Sequence, residues 1–170
     1  MKPILDILQG TQSKTKVLKA IAYIDNSASK FSQFMDEFMK ADQRGSQNLA
    51  WLIGSIADQN PKLIVPHFSD LLLKLEKPCH AAVKRNILRA FSKNSIPKNQ
   101  LGRLADLCFT LLDDPKEPIA VRVFSMIILH EICLLEPDLS LELIPILEYY
   151  IPHSKPGFRN RAKKIINSLS

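Results

Sequence analysis

The four histidines are the first residues to test for chemistry. His67, His80, His130 and His153 stand one each in four different stretches. No two share the one-turn spacing that lets neighbouring imidazoles on a helix grip one metal ion, so no metal site is expected. His130 is followed by Glu131 in a strongly apolar stretch. Such a pair can tune a proton-transfer group, but a hydrogen-bonded structural histidine is the expected role. Cys79, Cys108 and Cys133 are odd in number, scattered and without Cys-x-x-Cys spacing. They predict neither a disulfide framework nor a zinc cluster, and read as buried or half-buried thiols of a reducing compartment. A glycine-rich phosphate loop is missing, as are a Gly-x-Ser-x-Gly elbow and a cysteine with an evident histidine partner. No catalytic residue and no cofactor is predicted, and the chain reads as a non-enzyme.

Charge is the remaining chemical signal, and its distribution matters more than its total of +6. Residues 136–152 hold Glu136, Asp138, Glu142 and Glu148 and no base, whereas 153–170 hold Lys155, Arg159, Arg161, Lys163 and Lys164 and no acid. Arg85, Arg89 and Lys93, next to Lys84, recur at one-turn intervals and make a single stripe on a helix. Lys14, Lys16 and Lys19 form another basic group. Between the stripe at 84–93 and the basic run of 153–170, Val121 to Leu129 is almost wholly apolar around Arg122, which interrupts the track. A stripe of this kind serves equally to bind an acidic partner, to follow phosphate, or only to keep a helix face solvated.

The elements that must position these groups are helices. Prolines mark the breaks, because a proline cannot donate to the helix ladder and biases the residue before it away from helix. Pro61, Pro78, Pro97, Pro115 with Pro118, Pro137, and Pro152 with Pro156 fall between apolar segments of helix length. Within these segments apolar residues recur at three and four, as in Phe31, Phe34, Phe38 and in Leu101, Leu104, Leu107, Leu111. The spacing predicts ten helices near 3–9, 13–25, 28–40, 45–58, 61–75, 81–93, 98–112, 119–135, 138–151 and 158–169. At 170 residues the chain is expected to be one domain, 1–170. It lacks a secretion signal at the start and any run of roughly 20 apolar residues, so a cytoplasmic protein off the membrane is expected.

The segments also repeat. Aligning Ala82-Val83-Lys84-Arg85 with Ala120-Val121-Arg122-Val123 and Gly157-Phe158-Arg159-Asn160 places Lys84, Arg122 and Arg159 at separations of 38 and 37 residues. A further step of 37 back from Lys84 reaches Gln47, and the pattern does not extend cleanly into the first 40 residues. A two-helix repeat cannot bury its apolar stripe alone, so neighbouring pairs must stack, and short proline-marked loops force adjacent helices antiparallel.

The segment from Leu111-Leu112-Asp113-Asp114-Pro115 to Pro118-Ile119-Ala120-Val121-Arg122 resembles the intra-repeat turn of HEAT repeats, with its Asp-Pro and its Val-Arg. The resemblance covers 45–170 as regular repeats and 1–44 as a divergent N-terminal region, and is shared with armadillo-like stacks. It implies an all-α, right-handed α-α superhelix of about five antiparallel helix pairs. First helices would be convex and second helices would line the concave face. It also implies a ladder of turn residues, carried onto Asp114 and Arg122, with Glu76 and Lys84 as a conservative copy and Arg159 as a cation without its acid. In that frame Arg85, Arg89, Lys93, Arg161 and Lys164 form the candidate concave binding face. The implied function is a binding or scaffold module for a protein or peptide with an acidic surface. Nucleic acid is the alternative partner, because HEAT-like stacks include DNA glycosylases for alkylated bases. Those enzymes place a Trp four residues before a catalytic Asp; here Trp51 is followed at that spacing by Ser55, and Asp58 comes at seven.

Other conspicuous residues read as packing. Phe31, Phe34, Met35, Phe38 and Met39 lie at helical spacing and are expected in the core, and Trp51 is expected between repeats. Pro66 and Pro145 lie inside predicted helices. The last helix, ending Ile165-Ile166-Asn167-Ser168-Leu169-Ser170, is either a cap or a self-association edge, so a monomer or a weak homo-oligomer is expected.

Overall fold

A computed structural model describes residues 2–8, 10 and 13–170, and these form ten α-helices and no strand. The chain divides into two compact units, Met1–Ser95 and Ile96–Ser170. The first holds α1 (Lys2–Leu8), α2 (Lys14–Ile24), α3 (Ala28–Lys40), α4 (Gln43–Gln59), α5 (Phe68–Leu75) and α6 (Ala81–Phe91). The second holds α7 (Leu101–Asp113), α8 (Ile119–Cys133), α9 (Ser140–Tyr150) and α10 (Pro156–Leu169). Helices pack in sequential pairs: α1 on α2, α3 on α4 and α5 on α6 in the first unit, α7 on α8 and α9 on α10 in the second. Second helices also pack on one another, α2 on α4 and α4 on α6, and separately α8 on α10. This all-α arrangement of sequential helix pairs is consistent with a HEAT-repeat stack. No helix among the described residues is long and apolar enough to cross a membrane.

Side chains written into the sequence start several helices. The hydroxyls of Ser13 and Ser27 accept from the amides of Lys16 and Lys30, and the Asp42 carboxylate accepts from Gly45 N at 2.7 Å. Each satisfies an amide that the first helical turn leaves without a partner. Between α2 and α3 the chain reverses through Asp25 and Asn26, both left-handed at φ 47° and 58°. Asp and Asn are the non-glycine residues that tolerate this region best.

Two expected elements come out differently. The helix predicted over 61–75 is two short 3-10 turns, Pro61–Leu63 and Val65–His67, followed by the α-helix Phe68–Leu75. Pro66 lacks an amide hydrogen, and its ring blocks a continuous α ladder through this stretch. The helix predicted to reach Lys93 ends at Phe91. There the Asn94 side chain donates to Ala90 O and Ser92 Oγ to Arg89 O, which draws terminal carbonyls away from further helical bonds. Pro145 lies within α9, which continues through it.

The cores follow the expected stripes except at Met39, which is only half-buried. In the first unit Phe31, Phe34, Met35 and Phe38 of α3 are buried, and Phe68 of α5 stacks on Phe91 of α6 with ring centres 4.0 Å apart. Burying each such ring contributes about 1.5–3 kcal/mol. In the second unit Leu104, Cys108 and Leu112 of α7, Met126 and Leu129 of α8, Leu143 and Leu147 of α9 and Phe158 of α10 are buried. Burial pushes the thiols of Cys108 and Cys133 up, that of Cys108 strongly, which suits inert packing residues.

Candidate functional site

In the first unit a groove runs between α2 and α4, lined by Lys14, Val17, Leu18 and Ile21 on one side and Trp51, Ser55, Asp58 and Gln59 on the other, with a volume of about 200 Å³. The spacings of three and four explain the lining: each helix turns these residues onto one face. Trp51 stands between the second helices of two successive pairs, half-buried in the groove wall, and Leu18 opposite is 49% exposed.

Next to α4, α6 carries Arg85 and Arg89 of the expected stripe, but ends before Lys93. Arg85 is exposed. Arg89 reaches across to α4, where its Nη2 donates to Asp58 Oδ2. This half-exposed pair contributes at most about 1 kcal/mol, but it neutralises both charges locally. Lys93 is exposed, one turn beyond Arg89 and past the helix end. The stem of Arg89 lies over Gly54, as does the buried Asn86, whose Oδ1 is 2.6 Å from where a Cβ on Gly54 would stand. Gly54 is therefore what lets α4 and α6 approach so closely.

In the second unit, Arg161 and Lys164 are exposed one turn apart on α10. Arg159 turns the other way: its Nε donates to Ile151 O at 3.3 Å and its Nη2 to Ser154 O at 2.9 Å. Arg122, only 7% exposed, repeats this pattern one period earlier, with Nε donating to Leu112 O at 2.8 Å. Both cations thus sit on carbonyls at the end of a preceding helix, where the backbone dipole favours positive charge.

The rung expected between Asp114 and Arg122 is not formed. The Asp114 carboxylate turns into its own loop and accepts from Lys116 N at 2.8 Å. Arg122 lies instead between two rings, its guanidinium carbon 4.0 Å from the centre of Tyr150 and 5.1 Å from that of Phe158. Tyr150 in turn donates from its hydroxyl to Asp113 O at 2.7 Å and Oδ1 at 3.1 Å. Desolvation, then the Asp113 bond, raises the phenol's ionisation above its ordinary value. Sequence reasoning missed Tyr150 and Asp113, yet a signal was there: they stand 37 residues apart, one repeat, at the ends of equivalent first helices. Of the other expected ladder residues, Glu76 caps the C-terminus of α5 and Lys84 lies half-buried in the first turn of α6.

The histidines are distributed among structural tasks. His80 Nδ1 accepts from Ala82 N at the start of α6, and His67 Nε2 lies 3.2 Å from Ser32 Oγ. Burial lowers the pKa of His67, against the pull of Asp70 and Asp36. His130 Nε2 is 3.0 Å from Ser168 Oγ, and its Nδ1 is 3.4 Å from Glu131 Oε1. That order, Ser–His–Glu, is the order of a nucleophilic triad, but its setting has the wrong polarity. His130 and Ser168 sit in the last turns of α8 and α10, where outward carbonyls repel the oxyanion that such chemistry must stabilise. The contact ties α8 to α10. No group of three or more His, Cys, Asp or Glu among the described residues is placed to hold a metal.

Comparison with known proteins gives one positive finding: the family model for the HEAT repeat domain matches residues 4–169. That span takes in the regular repeats and most of the divergent first 44 residues alike. No curated protein and no solved structure matches the chain.

Proposed function

We propose, from the premise that the chain belongs to the HEAT repeat domain family, that it is a non-catalytic binding module whose second helices, in each unit, take a protein or peptide with an acidic surface. HEAT repeat domains are typically protein-interaction scaffolds and usually non-catalytic. The observation that carries the acidic partner is how the cations divide. Arg122 and Arg159 are absorbed by carbonyls and rings, and Arg89 is paired with Asp58. Arg85 on α6 and Lys93 just past its end in the first unit, and Arg161 and Lys164 on α10 in the second, stay exposed. Exposed like charges that serve no internal contact steer an oppositely charged partner and raise its rate of encounter.

A photocrosslinking residue in place of Lys93 or Lys164, compared with one in place of Asp70 on α5 or Asp106 on α7, tests this in cells. Protein adducts concentrated at positions 93 and 164 are expected. Nucleic-acid adducts at those positions, or equal yields at all four, overturn it.

A further inference from the structure

We infer that the last helix pair joins two copies of this chain, with α9 of each copy laid on α10 of the other. The pairing rests on the acidic-partner reading above and names the partner at α10: the acidic surface is α9 of a second copy.

α9 has more apolar surface than the molecule covers. Apart from Ser140, Glu142 and Glu148, its eleven residues are all apolar or aromatic, yet only Leu143 and Leu147 are buried. α7, the preceding first helix, buries six of its thirteen residues. A helix apolar on every side is normally covered on every side. Here Leu141 stays 79% exposed and Tyr149 71%, and Pro145 lies open between them.

Two contacts show which side is open. Tyr150 reaches back to Asp113 and Arg122 of the preceding pair, and Ser168 of α10 meets His130 of α8. At about 100° per residue, Leu141, Pro145 and Glu148 stand about 140–200° round α9 from Tyr150, and Lys163 and Ile166 stand equally far round α10 from Ser168. These residues share the side turned away from the preceding pair, where a further repeat would stack. Glu148 and Lys163 are exposed there, and neither enters an ion pair or hydrogen bond among the described residues.

Charge chooses the occupant. α9 carries acids and no base, and α10 carries bases and no acid. Two copies meeting through this side about a twofold axis have two arrangements. One sets α9 on α9, acid against acid. The other sets α9 on α10, acid against base, twice over. An unrelated partner would have to bring the same two kinds of helix in the same order. The face is two helices wide and eleven residues long, about 17 Å at a rise of about 1.5 Å per residue. It is small, and the net charge of +6 opposes association, so a dissociation constant on the order of 100 µM is expected.

Sedimentation velocity of the full chain at low salt, from about 10 µM to about 1 mM, tests this on the wild type, Glu148→Lys, Lys163→Glu and an equimolar mixture of the two variants. Both substitutions fall at exposed positions, and far-UV circular dichroism checks that each variant is folded. The wild-type mass should rise from 19.2 kDa toward twice that value with concentration. Each variant alone should associate at least about tenfold more weakly, and the mixture should recover the dimer, because the reversed charges match again across the two chains. A dimer that survives both reversals, or a mixture no more associated than its components, overturns the pairing. A wild type that stays monomeric yet binds a Glu/Asp-rich peptide overturns the pairing and leaves the acidic-partner reading standing. A wild type that neither dimerises nor binds the peptide overturns both.

Discussion

The guanidinium of Arg122 lies 4.0 Å from the centre of the Tyr150 ring, and the hydroxyl of that ring is held by Asp113. A buried cation is thus matched to its carboxylate through an aromatic ring rather than by a direct ion pair. Hydrogen bonding to the carboxylate enriches the ring that faces the cation, so the three groups support one another. Tyr150→Phe keeps the ring and loses the hydrogen bond, and is expected to cost about 1 kcal/mol in denaturant unfolding. Tyr150→Leu uncovers a buried charge and is expected to cost about 2–4 kcal/mol. Equal costs for the two variants would show that the ring contributes nothing beyond its hydroxyl.

Gly54→Ala should destabilise the first unit even though alanine is the better helix former. A Cβ would stand 2.6 Å from Asn86 Oδ1, and Asn86 cannot swing aside freely because its Nδ2 donates to Ala82 O at 2.8 Å. The clash is worth about 1–3 kcal/mol and outweighs a propensity gain of up to about 1 kcal/mol. In a double-mutant cycle Asn86→Ala should recover part of that loss, because it removes the atom that collides. Additive costs in the cycle would contradict the close approach.

His67 should make the fold sensitive to mild acid. Its folded pKa is lowered by burial, so the unfolded chain takes up a proton more readily. The contribution is present above the ordinary value near 6.5 and is lost as pH falls through the folded pKa. The thermal midpoint of the wild type should therefore drop more steeply between about pH 7 and pH 5 than that of His67→Gln. Parallel curves would assign the acid sensitivity elsewhere.

Most of the fold is legible in the sequence because proline and apolar spacing act locally. Pro97, Pro118, Pro137 and Pro156 each stand at or next to a helix start in the structure, where the missing amide hydrogen costs nothing. The stretch 61–75 was less legible, since apolar period alone does not show that Pro66 turns part of it into 3-10 structure. The candidate site divides in the same way. Arg122 and Arg159 are readable as register marks, being repeated at a fixed place in each turn. Their partners are not, because Asp113 and Asp114 are neighbours and only the turn geometry decides that one meets Tyr150 and the other Lys116. Trp51 sits in an apolar run that reads as core, and how much of it stays open depends on the packing of α2 against α4, which no local pattern records.

A partner with an acidic surface meets the second helices and not the first if the proposed function is right. Backbone amide NMR shifts of the full chain, mapped on addition of a Glu/Asp-rich peptide, read this out. Shifts concentrated on the second helices, around Arg85 on α6 and Arg161 and Lys164 on α10, and fading as salt is raised, are expected. Shifts centred on the exposed faces of α3 and α5, or binding indifferent to salt, would contradict it.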